Sequence, residues 1–120
     1  MFNKDFFPTP KSVLEQMNID CYGKRCLEPS AGKGDIVDFL KADGAASVEA
    51  CEINKDLQSI LSRKCSIINS DFLKVKQEEI SHIQLIIMNP PFSADETHIL
   101  HAFEIAPEGC NRFTLQLEHI

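Results

Sequence analysis

Leu85-Ile86-Ile87-Met88 runs directly into Asn89-Pro90-Pro91-Phe92. Four apolar residues without alternation suit a strand buried on both faces, the situation of a parallel sheet covered by helices. Two prolines end such a strand, because proline fixes its own backbone and restrains the residue before it. Working outward, Arg25–Glu28 and Ser47–Ile53 read as strands, Ser66–Ile68 as a short third and Phe113–Leu117 as a last one. The stretches between them have helical spacing. Gly34–Ala42 places Ile36, Phe39 and Leu40 on one side, with Gly44 as a stop. Asn54 can cap a helix whose inner face is Leu57, Ile60 and Leu61, and Glu96–Ala106 turns Ile99, Phe103 and Ala106 inward. Near the start, Thr9 and Pro10 read as N-cap and first helical residue, followed by Val13, Leu14 and Met17 on one face. Strands alternating with helices give a doubly wound α/β layout with helices on both faces of a mainly parallel sheet.

The 120 residues suit one domain, 1–120. A hydrophobic share of 43% and a charged share of 25% are those of an ordinary globular chain. No apolar run approaches the roughly 20 residues that cross a bilayer, and MFNKDFFPTP lacks the apolar core of a secretion signal. Five cysteines, an odd number without close pairing, argue against a disulfide framework, so a cytoplasmic location is expected. Cys21 and Cys26 do not have zinc-ligand spacing. His98 and His101, with Glu104, read as a solvated helix face rather than a metal site, and no metal is expected. The net charge of −6 sets the chain apart from typical nucleic-acid binders, which draw phosphates with Lys and Arg.

Four segments follow strands or lie just beyond them: 28–35, 52–53, 71–72 and 89–92. In a doubly wound sheet with right-handed crossovers they converge on one crevice at the carboxyl edge. In Glu28-Pro29-Ser30-Ala31-Gly32-Lys33-Gly34-Asp35, the glycines permit a tight turn and close approach of a ligand to the backbone. The helix that follows offers amide groups to an anion. The segment is neither a phosphate-binding P-loop nor GxGxxG, since Gly34 follows Lys33 and Val37 stands at the third glycine position. Glu52 has the place of an acidic residue that binds ribose hydroxyls. Asp71 can accept from an amino group, and Phe72 can pack on a purine face. Asn89 and the Pro90 carbonyl offer two rigidly held acceptors, which suit an amino group with two hydrogens. Phe92 offers a flat face to a base drawn out of its stack. Taken singly, a plain turn, a solvated carboxylate, a cap with a core phenyl and simple strand termination are the alternatives.

LEPSAGKGD, EACEI, SDFL and IIMNPPF, in that order, resemble the motifs of class I S-adenosylmethionine-dependent methyltransferases, and the NPPF version resembles that of adenine-N6 methyltransferases. Phe6-Phe7-Pro8-Thr9-Pro10 resembles the segment that many DNA adenine methyltransferases place before the glycine-rich loop. The resemblance covers residues 5–106. It implies a Rossmann-like doubly wound sheet and S-adenosylmethionine as cofactor. Glu28, Pro29, Ser30, Ala31, Gly32, Gly34 and Asp35 would line the methionine end, and Phe7, Pro8 and Thr9 would close over it. Glu52 would take the ribose hydroxyls, Ile53 would lie against the adenine, and Asp71 and Phe72 would recognise it. Asn89, Pro90, Pro91 and Phe92 would form the catalytic segment. The implied substrate is an exocyclic amino group of a base in DNA, with RNA or a protein glutamine amide as related targets. A cofactor-binding module without catalysis is the reading from another class. The family sheet has seven strands, of which about five are found, and the target-recognition region that follows NPPF in the DNA enzymes is absent from the 120 residues. The resemblance therefore implies a domain cut short on its C-terminal side, whose sheet edge a dimer or a complementing chain would cover.

Overall fold

The computed structural model describes residues 19–32, 34–88 and 95–114. The expected helix after Thr9, the residues Phe7, Pro8 and Thr9, and the segment Asn89, Pro90, Pro91 and Phe92 lie outside the described residues.

Among the described residues five strands form one sheet: β1 (Arg25–Glu28), β2 (Ser47–Cys51), β3 (Ser66–Asn69), β4 (Leu85–Met88) and β5 (Asn111–Thr114), in the order β3-β2-β1-β4-β5. All pairings are parallel. Cys26 lies between Val48 and Leu85, and Leu85 pairs onward with Asn111. The chain moves outward from β1 to β3, then returns to β4 on the other side of β1. The winding direction reverses between β1 and β4, the point at which open α/β sheets bind ligands.

Helices α1 (Asp35–Ala42) and α2 (Lys55–Leu61) cover one face. Ile36, Val37, Leu40 and Leu61 pack there with Cys26, Val48, Ala50, Leu85 and Ile87. The other face carries Leu27, Cys51, Ile86 and Met88. Two short 3-10 turns (Phe72–Lys74 and Gln77–Ile80) and helix α3 (Asp95–Ile105) cover it with Phe72, Val75, Ile80, Ala102 and Ile105. The side chains of β4 thus alternate between two apolar layers, and all four are at most 2% exposed. Burial of each contributes about 1.5–3 kcal/mol. That double burial is why the strand carries no polar residue.

Four expectations need correction. β2 ends at Cys51, which leaves Glu52 and Ile53 in the following turn. Ile60 is 41% exposed, because the short α2 turns only Leu57 and Leu61, one turn apart, to the core. In α3 the buried stripe is Ala102 and Ile105, with Ile99 partly buried, while Phe103 is 57% exposed. The small Ala102 faces the sheet there, and the bulky ring one position later is rotated outward. β5 begins at Asn111 rather than Phe113, since Asn111 N–H donates to the Gln84 carbonyl at 3.0 Å and starts the pairing with β4.

Candidate functional site

Glu28 ends β1 and is fully buried, and its carboxylate accepts a hydrogen bond from the Ser30 amide. Pro29 is buried beside it, and Ala31 N–H donates to the Cys51 carbonyl at 3.0 Å, tying the turn to the end of β2. Gly32 and Gly34 have φ values of 59° and 102°, the region where a side chain strains the backbone. Gly34 then stands as N-cap of α1, with no side chain capping the helix and Asp35 in its first turn. The turn therefore presents bare backbone and a helix start to the crevice. Behind it space is short: a Cβ on Gly34 would lie 3.0 Å from Lys64 Cδ and 3.1 Å from Leu61 Cδ1. Gly34→Ala is expected to lower unfolding free energy by about 1–3 kcal/mol from the positive φ. Urea titration measures this, and an unchanged midpoint would refute the strain.

Glu52 follows β2 and is 8% exposed. Its Oε1 accepts from Gly32 N–H at 2.7 Å and its Oε2 from Asn54 N–H at 2.8 Å. Its backbone carbonyl accepts from Gln58 Nε2 at 2.5 Å, and Asn54 Oδ1 caps α2 by accepting from Leu57 N–H at 3.1 Å. One carboxylate thus joins the glycine turn to the start of α2. Each oxygen keeps a further lone pair for a hydroxyl donor. Ile53, next along, is 68% exposed.

Beyond β3, Asp71 caps the first 3-10 turn, with Oδ1 accepting from Leu73 N–H at 3.0 Å. Asn69 Oδ1 accepts from Asp71 N–H at 3.0 Å. Among the described residues Asp71 Oδ2 makes no hydrogen bond. Phe72 is 1% exposed, a core residue. The His98 ring stacks on it at 5.8 Å between centroids and 22° between planes, and His101 meets it edge-on at 5.0 Å and 80°. His101 Nε2 lies 2.9 Å from the Val75 carbonyl oxygen. The two histidines are therefore packing partners of Phe72 rather than a solvated helix face. Their i, i+3 spacing carries no signal for this, because Phe72 lies on a different element. Among the described residues no cluster of three or more His, Cys, Asp or Glu is placed to hold a metal.

Glu28, Pro29, Ser30, Ala31, Gly32, Gly34, Asp35, Glu52, Ile53 and Asp71 thus lie at or just beyond the carboxyl ends of three neighbouring strands, and Phe72 is buried. Cys51 lies under the same edge. Burial first, and then the Glu28 carboxylate, push its thiol up to about 12. It stays protonated at neutral pH, and only a thiolate is a good nucleophile.

No family model matches the chain. It is 32% identical over 98 residues to modification methylase CviBIII of Paramecium bursaria Chlorella virus NC1A, which covers 72% of this chain and 25% of that protein. PH1948 of Pyrococcus horikoshii, assigned in its description to the RNA methyltransferases, superposes with a TM-score of 0.61 at 28% identity, over 72% of this chain and 47% of that one. An RNA methyltransferase from Salinibacter ruber in complex with S-adenosyl-L-homocysteine superposes with a TM-score of 0.67 at 20% identity, over 82% and 71% of the two chains, a likeness of fold. The chain spans 25% of the viral methylase and 47% of the Pyrococcus protein. With a sheet that reverses between β1 and β4, the chain has the fold of S-adenosylmethionine-dependent methyltransferases and is similar in sequence to a modification methylase.

Proposed function

We propose that the chain forms the cofactor-binding and catalytic part of a methyltransferase acting on the exocyclic amino group of a nucleic-acid base, with adenine N6 in DNA as the target. The observation that carries this reading is the position of β4. It pairs with β1 at the reversal point, so Asn89-Pro90-Pro91-Phe92 follows in sequence from the carboxyl edge next to the glycine turn. The likeness to CviBIII, a modification methylase, favours DNA.

The residues present fit S-adenosylmethionine. In this reading Glu52 accepts from the ribose hydroxyls with its remaining lone pairs, Ile53 packs on the adenine and Asp71 Oδ2 accepts from the adenine amino group. Glu28, Pro29, Ser30, Ala31, Gly32, Gly34 and Asp35 would line the methionine end, and Phe7, Pro8 and Thr9 would close over it. When bound, the cofactor supplies a methyl group on a sulfonium, already a strong donor. The protein's task is then to position the acceptor. The Asn89 side-chain carbonyl and the Pro90 main-chain carbonyl take the two amino hydrogens, which favours a pyramidal nitrogen with its lone pair aimed at the methyl. Phe92 stacks on the extruded base. In-line positioning and acceptors matched to the charge developing on nitrogen provide the acceleration. With a net charge of −6, the chain contributes little attraction for phosphates. This reading gives that role to a partner or further chain, for which the outer edge of β5 is the candidate contact.

A second reading, a base amine in RNA, draws on the Pyrococcus and Salinibacter relatives. The test is transfer of labelled methyl from S-adenosylmethionine to unmethylated DNA and to RNA, with nucleoside analysis of the product. Label in N6-methyladenine of DNA supports the proposal, and label confined to RNA replaces it with the second reading. Cofactor binding without transfer to either would leave a binding module.

A further inference from the structure

Glu52 is held at three points. Its carboxylate accepts from Gly32 N–H and Asn54 N–H, and its main-chain carbonyl accepts from Gln58 Nε2 at 2.5 Å. The first two donors belong to the turns and move with them. The third comes from a half-buried side chain of α2, a regular element. Position 58 commonly has another use. Asn54 is the N-cap of α2, so Ile53 precedes the cap and Gln58 is the fourth helical residue. At many helix starts these two positions carry apolar side chains that pack together and set the angle of entry. Here glutamine stands in place of the apolar partner. Its amide reaches back past Ile53 to the Glu52 carbonyl, and Ile53 is left 68% exposed. Resting on the cofactor site proposed above, we infer that Gln58 is a positioning residue: it fixes the peptide between Glu52 and Ile53 and so sets the direction in which the Glu52 carboxylate meets the ribose hydroxyls.

Rotation of that peptide couples the two ends of Glu52. Its oxygen is the one that Gln58 holds, and the Asn54 N–H that donates to Oε2 follows one peptide later. If the carbonyl swings, the Asn54 donor swings with it and the carboxylate plane tilts. A hydroxyl donor approaches a carboxylate oxygen near that plane, along the lone pairs. A tilt therefore weakens bonds to the hydroxyls and leaves the rest of the ligand untouched. The helix start does not need the glutamine side chain: Asn54 Oδ1 accepts from Leu57 N–H at 3.1 Å, and Gln58 N–H donates to the Asn54 carbonyl at 2.9 Å. What the side chain adds is a link from a regular element to a binding residue on a turn, which places that residue more precisely than the turn alone.

The test compares two probes by calorimetry: S-adenosylhomocysteine and an analogue that lacks both ribose hydroxyls. Gln58→Ala removes the donor, and Gln58→Glu keeps the length but offers only acceptors at neutral pH. Both residues are good helix formers, so α2 should be retained. In each variant the preference for S-adenosylhomocysteine over the analogue is expected to fall about 3- to 10-fold, the range of one hydrogen bond, with the affinity of the analogue unchanged. An equal loss for both probes would overturn the inference, because it would mark a general loosening of the turn. So would an unchanged preference in either variant. Failure of the wild type to bind S-adenosylhomocysteine would overturn the cofactor site and this inference together. Equal binding of the two probes by the wild type would separate Glu52 from the ribose, and the inference would fall with that assignment alone.

Discussion

Glu52→Ala is expected to abolish measurable binding of S-adenosylmethionine and to remove about 2–4 kcal/mol of folding stability, because two backbone amides lose their acceptor together. Gly32 N–H and Asn54 N–H both donate to this carboxylate, at 2.7 and 2.8 Å, in a place only 8% exposed. An unsatisfied donor there cannot turn readily to water. The glycine turn would lose its tie to the end of β2, and α2 would lose the anchor of its first residues. Glu52→Gln separates the two effects. The amide retains one oxygen for one of the backbone donors, so the fold should survive with a smaller loss. Its nitrogen then points a donor at the other amide and can no longer accept from a ribose hydroxyl. Calorimetric titration and urea unfolding of both variants measure these outcomes. Full-strength binding by the alanine variant would remove Glu52 from the site.

Asn89→Ala is expected to leave cofactor affinity unchanged and to slow methyl transfer by about 10²–10³-fold, the usual loss when one preorganised hydrogen-bonding group is removed from a transition state. The target amine is a weak nucleophile, since its lone pair is delocalised into the ring. In the proposed reading the Pro90 carbonyl alone would then hold the nitrogen, and one acceptor does not fix its orientation. Single-turnover transfer from labelled cofactor gives the rate, and calorimetry gives the affinity. A variant with the wild-type rate would show that the segment's role is structural.

The strand pattern was legible because burial on both faces leaves an unambiguous mark. Leu85–Met88 has no polar residue since each side chain enters one of two apolar layers. Glu52 was legible as a strand-end carboxylate for a related reason: a charged residue directly after a buried strand stands out against its neighbours. What could not be read was anything set by contact between distant elements. Ile60 and Phe103 have the right chemistry and nearly the right spacing for a core, but the length of α2 and the small Ala102 in α3 turned them outward. The start of β5 depends on Asn111 meeting Gln84 across the sheet. Likewise the contacts of His98 and His101 with Phe72 join residues of different elements, and only the packing of α3 shows them.

A sheet with its first strand at the centre also dictates an order of assembly. β1, β2 and β3 are neighbours in sequence and in space, so they can associate as soon as they leave the ribosome. The other edge of β1 must wait for Leu85 and Ile86, and until then Cys26 and Leu27 present a bare, strongly apolar ladder. Pairing over so long a loop is slow compared with local contacts. The nascent chain is thus most exposed to misassociation between synthesis of β1 and synthesis of β4.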